Sequence, residues 1–96
     1  MRKYEIMYIL KADLDEAARK EEIAKLSKII TDNGGKVEET SEAMGLRELA
    51  YPINKETKGY YVVLKTLMDN KAIDEFNRLV RIDAKVIRHL IVNLDK

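Results

Sequence analysis

Apolar and polar residues alternate from Lys3 to Leu10. Tyr4, Ile6, Tyr8 and Leu10 share one face; Lys3, Glu5, Met7 and Ile9 share the other. A period of two predicts a strand, and the first set makes the better core face. The period then lengthens. Ala18, Ile23, Leu26, Ile29 and Ile30 recur at three- and four-residue spacing, while Lys20, Glu21, Lys25 and Lys28 face water. This predicts a helix over about 15–33, capped by Asp13 or Asp15, with Glu16 three residues after Asp13 as in a capping box. Gly34-Gly35 ends it. A second strand starts at Lys36 with Val37 inward. Met44-Gly45 interrupts it, and it resumes from Leu46 to Ile53 as a long, irregular arm that loosens around residues 40–46. Asn54 to Gly59 reads as a polar turn. Tyr60 to Met68 is the third strand, with Tyr60, Val62, Leu64 and Met68 inward and Tyr61, Val63, Lys65 and Leu67 outward. Asp69 or Asn70 caps a second helix over about 71–81, whose apolar face is Ile73, Phe76, Leu79 and Val80. Lys85 to Asn93 alternates as a last strand, and either of its faces can point inward.

The order βαββαβ consists of two split βαβ units, and the right-handed crossover rule leaves few ways to join them. The expected fold is α+β: a ferredoxin-like sandwich of four antiparallel strands, ordered 4-1-3-2, with two helices on one face. Ninety-six residues are expected to form a single domain over residues 1–96, burying roughly 60–65% of the unfolded surface. This topology places Pro52, the only proline, on an edge strand, where a missing N–H is tolerated. A proline beside Tyr51 and several aliphatics suits either an edge blunted against self-pairing or a surface that docks a partner.

Composition narrows the function. There is no cysteine, so disulfides and thiolate metal sites are excluded. No apolar run approaches a membrane span, and charges stand where a signal peptide needs its apolar stretch; an intracellular protein is expected. The net charge of +1 hides an asymmetry: residues 12–48 hold ten acids and six bases, the remainder seven acids and twelve bases. In the 4-1-3-2 order the first and last strands are neighbours. Arg2, Lys3, Lys85 and Arg88 are therefore expected to form one basic patch, fit for phosphates and remote from the Pro52 edge. Catalysis has little to work with. His89 is the only histidine, with no serine or carboxylate near it in sequence, and the acids lack metal-loop spacing. Neither an enzyme nor a cofactor, metal or small-molecule substrate is expected. Lys58-Gly59-Tyr60-Tyr61-Val62 partly matches the third strand of an RNA-recognition motif. Val62 and Lys65 fall where further aromatics should stand, so base stacking is disfavoured.

The opening Arg2-Lys3-Tyr4-Glu5, the run Gly45-Leu46-Arg47-Glu48-Leu49-Ala50-Tyr51-Pro52-Ile53-Asn54 with Lys58-Gly59-Tyr60-Tyr61, and the ending Val86-Ile87-Arg88-His89-Leu90-Ile91-Val92 resemble the bacterial small-subunit ribosomal protein six family over nearly the whole chain. The resemblance implies a cytoplasmic structural constituent of the ribosome that binds the central domain of small-subunit rRNA, as a heterodimer with small-subunit ribosomal protein eighteen. It implies that Leu46, Arg47, Leu49, Tyr51, Pro52 and Ile53 lie toward that partner, and that Arg2, Tyr4 and Arg88 meet RNA. Lys3, Lys65 and Lys85 join the RNA set from topology and charge. No extended tail like that of some relatives is expected after Lys96, so tail-dependent contacts are not carried over. The alternative is a homodimeric ferredoxin-like ligand-binding module.

Overall fold

The computed structural model describes residues 1–53 and 55–94. Asn54 of the predicted turn and the terminal Asp95-Lys96 lie outside the described residues. The elements are β1 (Arg2–Lys11), α1 (Glu16–Asp32), β2 (Lys36–Ile53), β3 (Glu56–Met68), α2 (Asn70–Arg81) and β4 (Val86–Asn93). The sheet is antiparallel, in the order β2-β3-β1-β4, which is the expected ferredoxin-like arrangement. Asp15 caps α1 by accepting from the Ala18 amide at 2.8 Å, and Asp69 caps α2 by accepting from the Ala72 amide at 3.2 Å. Each carboxylate satisfies one of the orphan donors of a first helical turn. Gly34 takes a left-handed φ of 84° just past α1, as a helix stop requires.

The core lies between the sheet and the helices. Ile6, Tyr8 and Leu10 of β1 meet Val62, Leu64 and Met68 of β3, Leu26 and Ile30 of α1, and Ala72, Phe76 and Val80 of α2. The structure decides the face of β4. Ile91 stands opposite Ile6, His89 opposite Tyr8 and Val86 opposite Leu10, so these three point to the helices. Arg88, Leu90 and Val92 point to the bare side, where all three are exposed. A register shift after Ile9 brings Val86 and Arg88 to consecutive β1 partners, which strict alternation cannot anticipate.

β2 is one continuous strand where two segments are expected, and the interruption is expressed as register slips. Ser41 pairs with Val63 and Gly45 with Tyr61, so three residues of β2 face the single Val62. Gly45, at φ 59°, supplies a conformation that L side chains rarely adopt. A larger slip follows. Glu48 pairs with Lys58 and Ile53 with Glu56, so Leu49 to Pro52 stand opposite the single Thr57. The strands close on each other at Ile53 and Glu56, so the turn is shorter than the expected Asn54–Gly59. Pro52 lies inside the slip, on an edge strand, where no ladder N–H is demanded of it.

One buried charged cluster is absent from the apolar pattern. Glu22 of α1 is 2% exposed, and its carboxyl is hydrogen-bonded to Asp83. Burial, then that hydrogen bond and the charge of Asp83, raise Glu22 to about 7, against the smaller pull of Lys25 and Lys85. Burial acts to raise Asp83 too. Hydrogen bonds from Glu22, the Lys85 amide (3.0 Å) and Lys25 Nζ (3.1 Å) outweigh it and leave Asp83 low. Below about pH 7 one proton is therefore held on Glu22, because the two neighbouring carboxyls cannot both ionise cheaply.

Candidate partner and nucleic-acid interface

The bare side of the sheet carries the candidate interface. Three rows cross it. Tyr61, Ile9 and Arg88 form the first; Val63, Met7 and Leu90 the second; Lys65, Glu5 and Val92 the third. The excess residues of β2 carry Leu49, Ala50 and Tyr51 over the first two rows. With Ile53 they close a groove of about 240 Å³ whose floor is Met7, Ile9, Tyr61 and Leu90. At its rim the guanidinium Nη1 of Arg88 donates to the Tyr51 hydroxyl at 2.8 Å. Gly59 packs directly against Ile9 of the groove floor. A Cβ there would collide with Cγ2 of Ile9, with Ile87 Cδ1 a further 3.6 Å neighbour.

Of the expected partner residues, Leu49, Tyr51 and Ile53 line the groove. Leu46 and Pro52 are exposed outside it, and Arg47 is tied to its own strand through Nε to the Met44 carbonyl at 3.0 Å. The groove opens onto the exposed Leu90 and Val92, 53% and 44% accessible. This continuous apolar surface is of the kind that marks interaction sites.

The expected single basic patch does not form. Antiparallel pairing sets Arg2 beside Met68 and Tyr4 beside Asn93, whereas Arg88 sits beside Ile9 and the Lys85 carbonyl accepts from the Lys11 amide at 3.0 Å. Seven residues of β1 separate the two ends, roughly 23 Å at about 3.3 Å per residue. One end of the sheet therefore carries Lys11, Lys85 and Arg88, and the other carries Arg2 and Lys3. The expected separation of the basic strands from the Pro52 edge is also overturned, because Tyr51, on the far edge strand of the sheet, bonds Arg88 directly. Tyr4 packs half-buried against the core on the helix side, so its ring does not share the face of Arg88. Lys65 stands opposite Glu5 and 3.5 Å from Glu39, so its charge is locally balanced. Arg88 makes no ion pair with a carboxylate among the described residues, which leaves its charge available to an anion.

The partial RNA-recognition pattern is resolved by direction. Tyr60 points to the helix side, where the Arg19 guanidinium lies 4.2 Å from its ring centroid and Glu42 accepts from its hydroxyl at 2.9 Å. Tyr61 is on the bare side but lines the groove under β2. Neither ring is presented as an open stacking platform. His89 is oriented by Asn77 Oδ1 at 2.8 Å and meets Phe76 edge-on, and burial followed by the Arg81 charge lowers its pKa. Among the described residues no group of His, Asp or Glu side chains could hold a metal ion, and no helix is long and apolar enough to cross a membrane.

The rim contact is invisible in the sequence because Tyr51 and Arg88 are thirty-seven residues apart and the topology puts their strands on opposite edges. Glu22 has a legible signal. It is spaced four and eight residues from Leu26 and Ile30, so it falls on the apolar stripe of α1.

A family model described as ribosomal protein S6 matches residues 3–93. The chain is 53% identical over 91 residues to small ribosomal subunit protein bS6 of Halalkalibacterium halodurans, covering 95% of each. It is 43% identical over 96 residues to the protein of the same name from Exiguobacterium sibiricum, covering the whole of both. Among solved structures, that of 30S ribosomal protein S6 from Thermotoga maritima superposes with a TM-score of 0.89 at 29% identity, over 96% of this chain and 86% of that one.

Proposed function

Because the chain belongs to the ribosomal protein S6 family, we propose that it is a structural constituent of the bacterial small subunit, acting in the cytoplasm as one domain over residues 1–96. It binds the central domain of small-subunit rRNA together with small-subunit ribosomal protein eighteen. The observation that supports this most directly is the groove between β2 and the bare sheet. It offers an apolar seat for a protein chain, with the cation of Arg88 at its rim.

Leu49, Tyr51 and Ile53 anchor the partner, with Leu46, Arg47 and Pro52 on the outer edge of the same strand. Arg88 and Lys85 meet the phosphates nearest the groove, and Arg2 and Lys3 meet RNA at the other end of β1. Tyr4 and Lys65 play a smaller part, one half-buried and the other charge-balanced. A protein of net charge +1 gains little RNA affinity from counterion release alone. A partner seated in the groove adds cations and holds β2 over the sheet.

The test is a titration of a central-domain rRNA fragment at one fixed salt concentration, with the protein alone and with the partner. Binding is expected to be at least about tenfold tighter with the partner. Equal affinities would overturn the reading, and a stable homodimer with no RNA affinity would favour a ligand-binding module instead. Tyr51→Ala is expected to weaken the heterodimer by about 2 kcal/mol, as truncation of an aromatic anchor does. The fold should persist, because the side chain is largely exposed. Calorimetric titration of the partner, beside a thermal melt, separates the two effects.

A further inference from the structure

We propose that Tyr51 is a positioning residue for RNA: its hydroxyl holds the Arg88 guanidinium at the groove rim in the orientation that meets a phosphate. This rests on the reading of Arg88 as an RNA contact.

The geometry supports a holder and argues against a competitor. A guanidinium presents five N–H donors in a rigid fork. The Tyr51 hydroxyl engages one nitrogen, Nη1, so most of the fork remains for a phosphate. The hydroxyl is neutral and leaves the cation's charge intact, where a carboxylate would cancel it. Other cations of the bare face and helices are treated differently: Lys65 faces Glu39, Arg78 pairs with Glu75, and Lys25 pairs with Asp83. Arg88 is a long exposed side chain whose ordering on binding would otherwise weaken affinity. The Tyr51 contact orders it in advance. Tyr51 is carried on the excess residues of β2, so whatever occupies the groove and steadies β2 steadies Arg88 as well. Partner binding is thereby linked to RNA binding through one hydrogen bond.

The experiment is an RNA titration with the partner present at saturation, across a series of salt concentrations, on the wild type, Y51F, R88A and Y51F/R88A. The probe is the central-domain rRNA fragment. R88A is expected to weaken binding about tenfold and to lower the salt slope by about 0.7–0.9, one phosphate contact. Y51F is expected to weaken binding about 2- to 10-fold while keeping the wild-type slope, since the charge still reaches its phosphate. The double variant should match R88A. A purely structural role for Tyr51 would add its effect to that of R88A, and such additivity overturns the proposal. So does wild-type affinity in Y51F when R88A is impaired. Wild-type affinity in R88A overturns the underlying reading of Arg88. Nitrogen relaxation of the Arg88 side chain in the free protein reads the hold directly: greater mobility in Y51F supports it, and unchanged mobility overturns it.

Discussion

Gly59→Val is expected to destabilise the protein by about 3 kcal/mol, at the upper end of what overpacking does in a tight site. The sign is what makes the result informative. Valine favours strands, and at an ordinary half-exposed strand position it would stabilise relative to glycine. Gly59 is buried, and any Cβ there meets Cγ2 of Ile9, a branched methyl that cannot swing away, with Ile87 close behind. Its φ is not left-handed, so the constraint is steric and not conformational. Gly59 pairs with Arg47 on one side and Lys11 on the other, and displacing it moves β2 off the sheet. The groove and the Tyr51–Arg88 contact should be lost along with stability. Urea melts of Gly59→Val, Ile9→Ala and the double variant check the cause. The penalty should be much smaller in the Ile9→Ala background, a coupling that double-mutant cycles resolve between touching residues. A stabilised Gly59→Val would show that the close approach does not exist in solution.

Glu22→Gln is expected to abolish a pH dependence that the wild type shows between about 4.5 and 7. Glu22 is raised in the folded protein to about 7 from a reference of 4.5. Between those values the folded state holds a proton that the unfolded state has released. Wild-type stability therefore falls as pH rises through this window and is flat above it. The full loss is on the order of 3 kcal/mol, at about 1.4 kcal/mol for each pH unit of the window. Glutamine is neutral at all pH values and can still donate to Asp83. The variant should equal the wild type near pH 4.5 and exceed it near pH 8. Asp83 is shifted the opposite way, so its contribution is present above its unfolded value and is lost only as pH falls below about 4. Chemical denaturation at several pH values measures both limbs. Parallel wild-type and variant curves across pH 4.5–7 would refute the assignment.

Both predictions turn on residues that the hydrophobic pattern does not single out, and for different reasons. Glu22 is hidden by its own polarity: a carboxylate on an apolar stripe reads as an exception until Asp83 is found beside it. Gly59 reads as the last residue of a turn, because its close neighbour Ile9 belongs to another strand. The basic clusters differ again. That Arg2 and Arg88 stand at opposite ends follows from antiparallel pairing alone, since the end of β4 adjoins the start of β1. Neighbouring strands do not make neighbours of all their residues.

Element order, sheet order, a pair of candidate caps at each helix start and the inward faces of β1 and β3 are legible in the amino acids alone; that Asp15 and not Asp13 caps α1 is decided in the fold. The legible features rest on periodicity, capping chemistry and crossover handedness, which act over a few residues or through chain connectivity. The central motif and its flanking segments also carry the family. The inward face of β4, the slips that give β2 its excess length, and the groove that excess covers emerge only in the folded sheet. So does the contact that joins Tyr51 to Arg88. These depend on which residues of distant strands stand opposite each other, and register within the sheet is set by packing summed over every strand at once. A local pattern shows that a strand has two faces; what lies across from each residue is a property of the assembled sheet.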